Sequence, residues 1–147
     1  MTAEISATEI PAGLQETLER VRAATVAMGQ GDPEPLMRLW SRADDATLFG
    51  AWGPCKRGWD ELSQTFRWVA TRFGGGEARC EEVIVNLSGD LAYTVGYERG
   101  EMVVDGGEPQ PMSIRVTHIY RQEAGAWRLV HRHGDFAPID QSAGKLD

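Results

Sequence analysis

The sequence predicts an α+β domain in which three N-terminal helical segments pack against a curved, mostly antiparallel sheet. Apolar residues recur with a helical period through residue 73, and from residue 77 onward the period changes to two. Three turn signals then divide the second half of the chain into four strands. Helices followed by a run of strands are typical of α+β architecture.

Length and composition limit the function classes. A chain of 147 residues suits one domain. Its 15 Lys and Arg against 22 Asp and Glu give a net charge of -7 without a basic stripe, which argues against nucleic acid or a membrane surface as partner. No apolar run is long enough for a membrane span, and the first residues lack the features of a signal peptide, so we expect a cytoplasmic protein.

The first half of the chain reads as helix, short helix, strand and helix. A stripe of apolar residues predicts helix one over residues 12–29, and a proline-rich turn after Asp32 begins a short second helix. Residues 46–51 have strand composition. A third helix extends from Trp59 to Phe73, and we expect the glycine run 74–76 to end it.

The second half is predicted to form a meander of four strands near residues 78–87, 91–104, 111–122 and 126–134. A short Gly-containing turn lies between each strand and the next. The terminal segments lack large apolar residues with a sustained period. We therefore divide the chain into a loosely ordered arm (1–10), one domain (11–137) and a tail (138–147).

Two short motifs carry a resemblance to a known family. One is a strand start of the form GDxAY, and the other is a run of the form TxxY…GxW…VHxH. Their residues are Gly89, Asp90, Ala92 and Tyr93 for the first, and Thr117, Tyr120, Gly125, Trp127, Val130, His131 and His133 for the second. The stretch of about 30–137 resembles SnoaL-like domains of the nuclear transport factor two-like superfamily, and also the association domain of calcium/calmodulin-dependent protein kinase II.

The resemblance implies a cystatin-like cone with a pocket inside it. It also implies either of two functions. One is a cofactor-independent acid/base enzyme of the isomerase, cyclase or dehydratase type, acting on a small apolar carbonyl or polyketide-like compound. The other is a non-catalytic ligand-sensing or oligomerisation module. Glu98 and His118 match two pocket arginines of the kinase domain, so anion binding of that kind is not expected.

Strand alternation selects the side chains that face the pocket. Small residues share a face with Glu98, and an apolar face of the next strand includes His118. In the last strand, alternation places His131 and His133 on the same face as Trp127. We expect Glu98, His118 and His131 to be catalytic, with Glu98 or His118 as the base.

Other residues are candidates for ligand contact, and Tyr120 or a histidine could donate a hydrogen bond to an oxyanion. These candidates are Tyr120, His133, Trp40, Phe66, Arg115 and Asp135. Arg115 and Asp135 could instead form an ion pair at the rim. His131 and His133 could equally be structural, hydrogen-bonded sheet residues.

We predict no metal and no cofactor. His131 and His133 have ligand spacing and could bind a metal with Glu98 or Asp135, but no zinc signature, phosphate loop or Ser/His/Asp order is present. Cys55 and Cys80 lack CxxC spacing, and we interpret them as ordinary reduced thiols.

We also predict a homodimer formed through the outer sheet face, because alternation makes that face apolar and aromatic. Its expected residues are Tyr93, Val95, Tyr97, Thr117, Ile119 and Val130, interleaved with Arg99, Arg115 and Arg132.

Overall fold

The computed structural model describes residues 9–137. Its elements are α1 (Ala12–Gly29), α2 (Glu34–Met37), β1 (Thr47–Phe49), β2 (Cys55–Arg57), α3 (Trp59–Arg72), β3 (Phe73–Ser88), β4 (Leu91–Val104), β5 (Gln110–Glu123) and β6 (Ala126–Phe136). Most of the predicted N-terminal arm and all of the predicted tail lie outside the described residues.

The helix α1 has the predicted bounds and lays its apolar stripe on the sheet. Leu14, Leu18 and Val21 are almost fully buried, and the helix ends where Gly31 takes a φ of +90°.

The junction between α3 and β3 differs from the prediction. The glycine run after Phe73 was expected to separate helix from strand, yet β3 starts at Phe73 and contains these glycines. Gly75 and Gly76 have φ values of +129° and +113°. A Cβ on Gly76 would lie 2.2 Å from the backbone oxygen of Glu101, so the glycine allows β3 and β4 to approach closely.

The strands form one six-stranded sheet in the order β2-β1-β6-β5-β4-β3. The β3-β4-β5-β6 meander is antiparallel, as predicted. β1 joins β6 in parallel, and β2 pairs antiparallel with β1 at the edge. β2 was not predicted, because its three residues are all exposed and carry no apolar pattern.

A β-bulge interrupts the pairing of β5 with β6. Tyr120 pairs with Leu129, whereas the preceding Ile119 pairs with His131, so Val130 is one extra residue on β6. The extra residue reverses the alternation of side chains along the rest of the strand. Leu129 and Val130 are both buried as a result.

The bulge corrects the predicted faces of β6. His131 and His133 were expected inside the cone, but they pair with β1 residues on the outer face, where Phe49 packs against both rings. Arg132 was expected on the outer face, but its side chain lies inside.

The hydrophobic core lies between the helices and the inner sheet face, with Trp40, Leu62, Phe66, Tyr120 and Leu129 among its large side chains. None of the helices within residues 9–137 is long and apolar enough to cross a membrane.

Candidate functional site: an ion pair at the end of an apolar cavity

A cavity of about 90 Å³ lies between α1, α3 and the inner face of the sheet. Its wall is largely apolar and includes Met28, Leu36, Leu48, Trp52, Phe66, Val69, Phe73, Ala78, Met102, Met112 and Ile114. Three ionisable side chains, Glu98, His118 and Arg132, complete the wall. They are contributed by β4, β5 and β6, which are neighbours in the sheet.

Glu98, which is buried, and Arg132, whose side chain is 17% exposed, form a bidentate ion pair. Arg132 Nη1 donates to Glu98 Oε2 at 2.6 Å, and Nη2 donates to Oε1 at 2.9 Å. Burial alone raises the pKa of Glu98, but the charge and hydrogen bonds of Arg132 outweigh burial and hold the pKa below its usual range. The carboxylate is therefore ionised, with both of its oxygens engaged.

His118 extends this polar cluster. Its Nε2 lies 3.1 Å from Arg132 Nη1, and its Nδ1 lies 3.5 Å from the hydroxyl oxygen of Tyr120. Burial, reinforced by the positive charge of Arg132, lowers the pKa of His118 to about 3. The imidazole is thus neutral at pH 7, and because a guanidinium only donates, Nε2 accepts and Nδ1 carries the proton.

Arg132 retains hydrogen-bonding capacity that the protein does not use. Nη1 donates to Glu98 and His118, and Nη2 donates once to Glu98. A guanidinium has five N–H groups. Within residues 9–137, Nε–H and the second Nη2–H have no acceptor. These two N–H groups lie on one edge of the guanidinium plane and form a parallel fork, which matches one oxygen or a pair of oxygens.

Gly134 provides space beside the ion pair. It follows Arg132 on the inner face and is buried. A Cβ at this position would lie 3.2 Å from Arg132 Nη2 and 3.2 Å from Ile114 Cγ2. A side chain here would therefore press on the guanidinium and disturb its contact with Glu98.

The structure brings only part of the predicted site together. Glu98, His118 and Phe66 lie on the cavity wall. His131 does not, because the bulge turns it to the outer face, where its Nδ1 lies 2.7 Å from Thr47 Oγ1. Burial, together with the charge of His133, lowers the pKa of His131.

The remaining candidates lie outside the cavity wall. Tyr120 and Trp40 are each 1% exposed in the core, where Trp40 packs against Phe66. Burial raises the pKa of Tyr120. Arg115 and Asp135 form the predicted ion pair, with Nε–Oδ1 at 2.7 Å, but on the exposed outer face.

Arg132 is the residue that alternation missed. Two signals could have indicated it. An inward-facing carboxylate such as Glu98 is costly to bury without a cationic partner, and two consecutive apolar residues, Leu129 and Val130, are typical of a strand that changes face.

The described residues contain no group of three or more His, Cys, Asp or Glu placed to hold a metal ion. His131 and His133 lie on the opposite side of the sheet from Glu98, so the alternative metal site that combines them with Glu98 is not formed. Asp135 shares the outer face with His133, but both of its oxygens are bound by Arg115.

A match over most of the chain identifies the family. Residues 18–139 match the model of the SnoaL-like domain. The chain belongs to the SnoaL-like domain family. No curated protein matches this SnoaL-like sequence.

Solved structures share the fold. A ketosteroid isomerase-like protein from Erwinia carotovora atroseptica superposes with a TM-score of 0.72 at 21% identity, covering 88% of this chain and 100% of the other. A nuclear transport factor 2-like superfamily protein from Salmonella enterica gives 0.73 at 17%, covering 90% and 93%. A candidate calcium/calmodulin-dependent protein kinase type II association domain from Thiobacillus denitrificans gives 0.71 at 21%, covering 84% and 94%.

The family match confirms the predicted SnoaL-like domain, and the solved structures confirm its α+β, cystatin-like fold. At such identities the likeness concerns fold alone, since one fold serves enzymes and non-enzymes.

Proposed function

We propose that this SnoaL-like domain binds a small, mostly apolar molecule whose single polar acceptor meets Arg132 at the end of the cavity. The observation that carries the proposal is the pair of unused Arg132 N–H groups in an otherwise apolar pocket. Apolar walls with a few convergent polar groups are the usual form of a small-molecule site.

The size of the cavity limits the ligand. Its volume of about 90 Å³ is below the ~150 Å³ of an apolar cavity that accommodates benzene. A ligand no larger than benzene, with at most about six non-hydrogen atoms, is therefore the expected scale. Met28, Met102 and Met112 line the wall, and their flexible thioether side chains can adjust to ligand shape.

Acid/base catalysis is the second candidate. Its support is the adjacency of a carboxylate and a cation, because proton abstraction next to a carbonyl uses a base beside a group that stabilises the oxyanion. The geometry favours binding over catalysis. Both Glu98 oxygens are held by Arg132, the lowered pKa makes Glu98 a weak base, and His118 with a pKa of about 3 is weaker than an ordinary histidine.

A methyl-resonance experiment tests the proposal with 2-pentanone, which has six non-hydrogen atoms and one carbonyl. Of the five methionines, Met28, Met102 and Met112 line the cavity, while Met37 is buried elsewhere. We expect millimolar 2-pentanone to shift the ¹³C-methyl signals of the three lining methionines and to leave that of Met37 in place.

A cavity-filling variant supplies the control. Ala78 is buried on the cavity wall, so Ala78→Leu should abolish these shifts, whereas Val83→Leu, at an exposed position, should preserve them. Shifts that persist unchanged in Ala78→Leu would reject the cavity as the binding site. The same samples in D₂O report catalysis, because loss of the ketone α-proton signals that depends on Glu98 would favour the enzyme.

A further inference from the structure

We propose that Glu98 sets the charge selectivity of this cavity: by neutralising Arg132, it makes the site accept neutral carbonyl-type oxygens and exclude carboxylates. The inference rests on the proposed function and adds the chemical class of the ligand head group. It also assigns Glu98 a specificity-determining role in place of the role of a base.

The charges on the cavity wall sum to zero. Glu98 and Arg132 are the two charged side chains among the lining residues of the described chain. His118, with its pKa of about 3, is neutral under ordinary conditions. A neutral ligand therefore preserves the charge balance of the pocket, whereas an anion adds a charge that no free cation on the wall compensates.

The two oxygen-binding edges of Arg132 lie close to each other. Glu98 occupies the Nη1/Nη2 edge at 2.6 and 2.9 Å, which leaves the Nε/Nη2 edge for a ligand. A carboxylate on the free edge would share Nη2 with Glu98. Two anions would then face one cation in a buried site, and like charges at such range strongly disfavour joint ionisation.

The same geometry favours binding of a neutral carbonyl. Its oxygen accepts one or two hydrogen bonds from a cation, which are stronger than hydrogen bonds between neutral groups. Because the carbonyl carries no negative charge, the Glu98 carboxylate does not repel it. The ion pair thus leaves the donors of Arg132 usable while screening its charge.

The test compares 2-pentanone with butyrate, which differ in the replacement of a methyl group by a charged oxygen. The shifts of the Met102 and Met112 methyl groups measure occupancy of the cavity. We expect the wild-type protein at pH 7 to bind 2-pentanone at least about tenfold more tightly than butyrate. Glu98→Gln preserves the shape of the side chain and exposes the charge of Arg132, so the preference should reverse toward butyrate.

Two variants control for effects other than charge masking. Asp135→Asn weakens a bidentate Arg pair on the outer face and should leave the ligand preference unchanged. The double variant Glu98→Gln/Arg132→Gln removes both charges and should lose the preference for butyrate that Glu98→Gln alone acquires. If Glu98→Gln folds poorly, butyrate should raise its Tm more than 2-pentanone does, because the anion replaces the missing partner of a buried cation.

The outcomes separate the two proposals. Absence of methyl shifts with either probe, in wild type and variant alike, rejects the proposed function and this inference with it. Binding of both probes with equal affinity in wild type, or a Glu98→Gln protein that still prefers 2-pentanone, rejects the inference and leaves the binding function standing. If the wild-type protein binds butyrate more tightly than 2-pentanone, the inference is likewise rejected and the binding function stands.

Discussion

Burial of His118 links the stability of the domain to pH. The pKa of His118 is about 3 in the folded chain, whereas an exposed histidine in the unfolded chain has a pKa of about 6.5. Between these values the unfolded state binds a proton that the folded state does not. Stability is therefore greatest above pH 6.5 and falls as the pH is lowered toward 3.

The first prediction quantifies this linkage. The free energy of unfolding should fall by up to about 1.4 kcal/mol per pH unit between pH 6 and pH 4 from His118 alone. We expect His118→Gln to flatten the dependence by a large part of that slope. Urea denaturation at several pH values measures it, and equal slopes for both proteins would contradict the buried neutral imidazole.

Individual residues also indicate how far alternation can predict a site. Glu98 and His118 were placed correctly because β4 and β5 pair without a register shift in this region. Simple alternation along each strand is therefore enough to predict which face of the sheet these side chains lie on. Arg132 and His131 were misplaced because one extra residue, Val130, reverses the period. Alternation contains no information about where such a residue is inserted, and only the apolar pair Leu129-Val130 indicates it.

At the scale of the elements, helix boundaries were predictable where breakers coincide with the end of an apolar stripe. α1 ends at Gly29 as predicted. The glycines after α3 have a different role, since they are needed inside β3, where it bends against β4. Composition alone does not distinguish a glycine that ends an element from one that permits close approach.

The close approach of β3 and β4 gives a second prediction. A Cβ on Gly100 would lie 1.7 Å from the backbone oxygen of Glu77, and its φ of +153° is also unfavourable for other residues. We expect Gly100→Ala to lower the free energy of unfolding by about 3 kcal/mol or more, as measured by urea denaturation.

A matched glycine separates steric clash from backbone strain. Gly89 has a φ of +61° but no atom within 4 Å of a Cβ, so Gly89→Ala should lower the free energy of unfolding by about 1 kcal/mol. If Gly89→Ala and Gly100→Ala lower the free energy of unfolding equally, a steric clash at Gly100 is contradicted.

At the scale of the whole molecule, the outer sheet face is more apolar than a solvated surface requires. Val83, Leu91, Tyr93 and Val95 are 62%, 52%, 36% and 36% exposed, respectively. Val130 and Arg132 do not belong to this face, in contrast to the sequence prediction, because one is buried and the other lies inside the cavity. We still propose a homodimer through this face, because exposed apolar sheet surfaces commonly mark an interface.

A third prediction tests that dimer. Wild-type protein at micromolar concentration should scatter light with about twice the chain mass of 16.2 kDa. Val95→Asp should raise the dissociation constant at least about tenfold, because it buries an unpaired charge. Val26→Asp is the control, since Val26 is 38% exposed on α1 and lies away from the sheet face. A monomeric wild type, or equal effects of both variants, would reject the proposed interface.

The bulge at Val130 has a consequence for comparative genomics. In a homologous strand without the extra residue, the position that aligns with His131 would point into the cavity, and the position that aligns with Arg132 would point to solvent. A gap-free alignment of this strand would therefore equate residues on opposite sides of the sheet. Transfer of pocket residues to a member that lacks the bulge should accordingly place a one-residue insertion at Val130 before any column is compared.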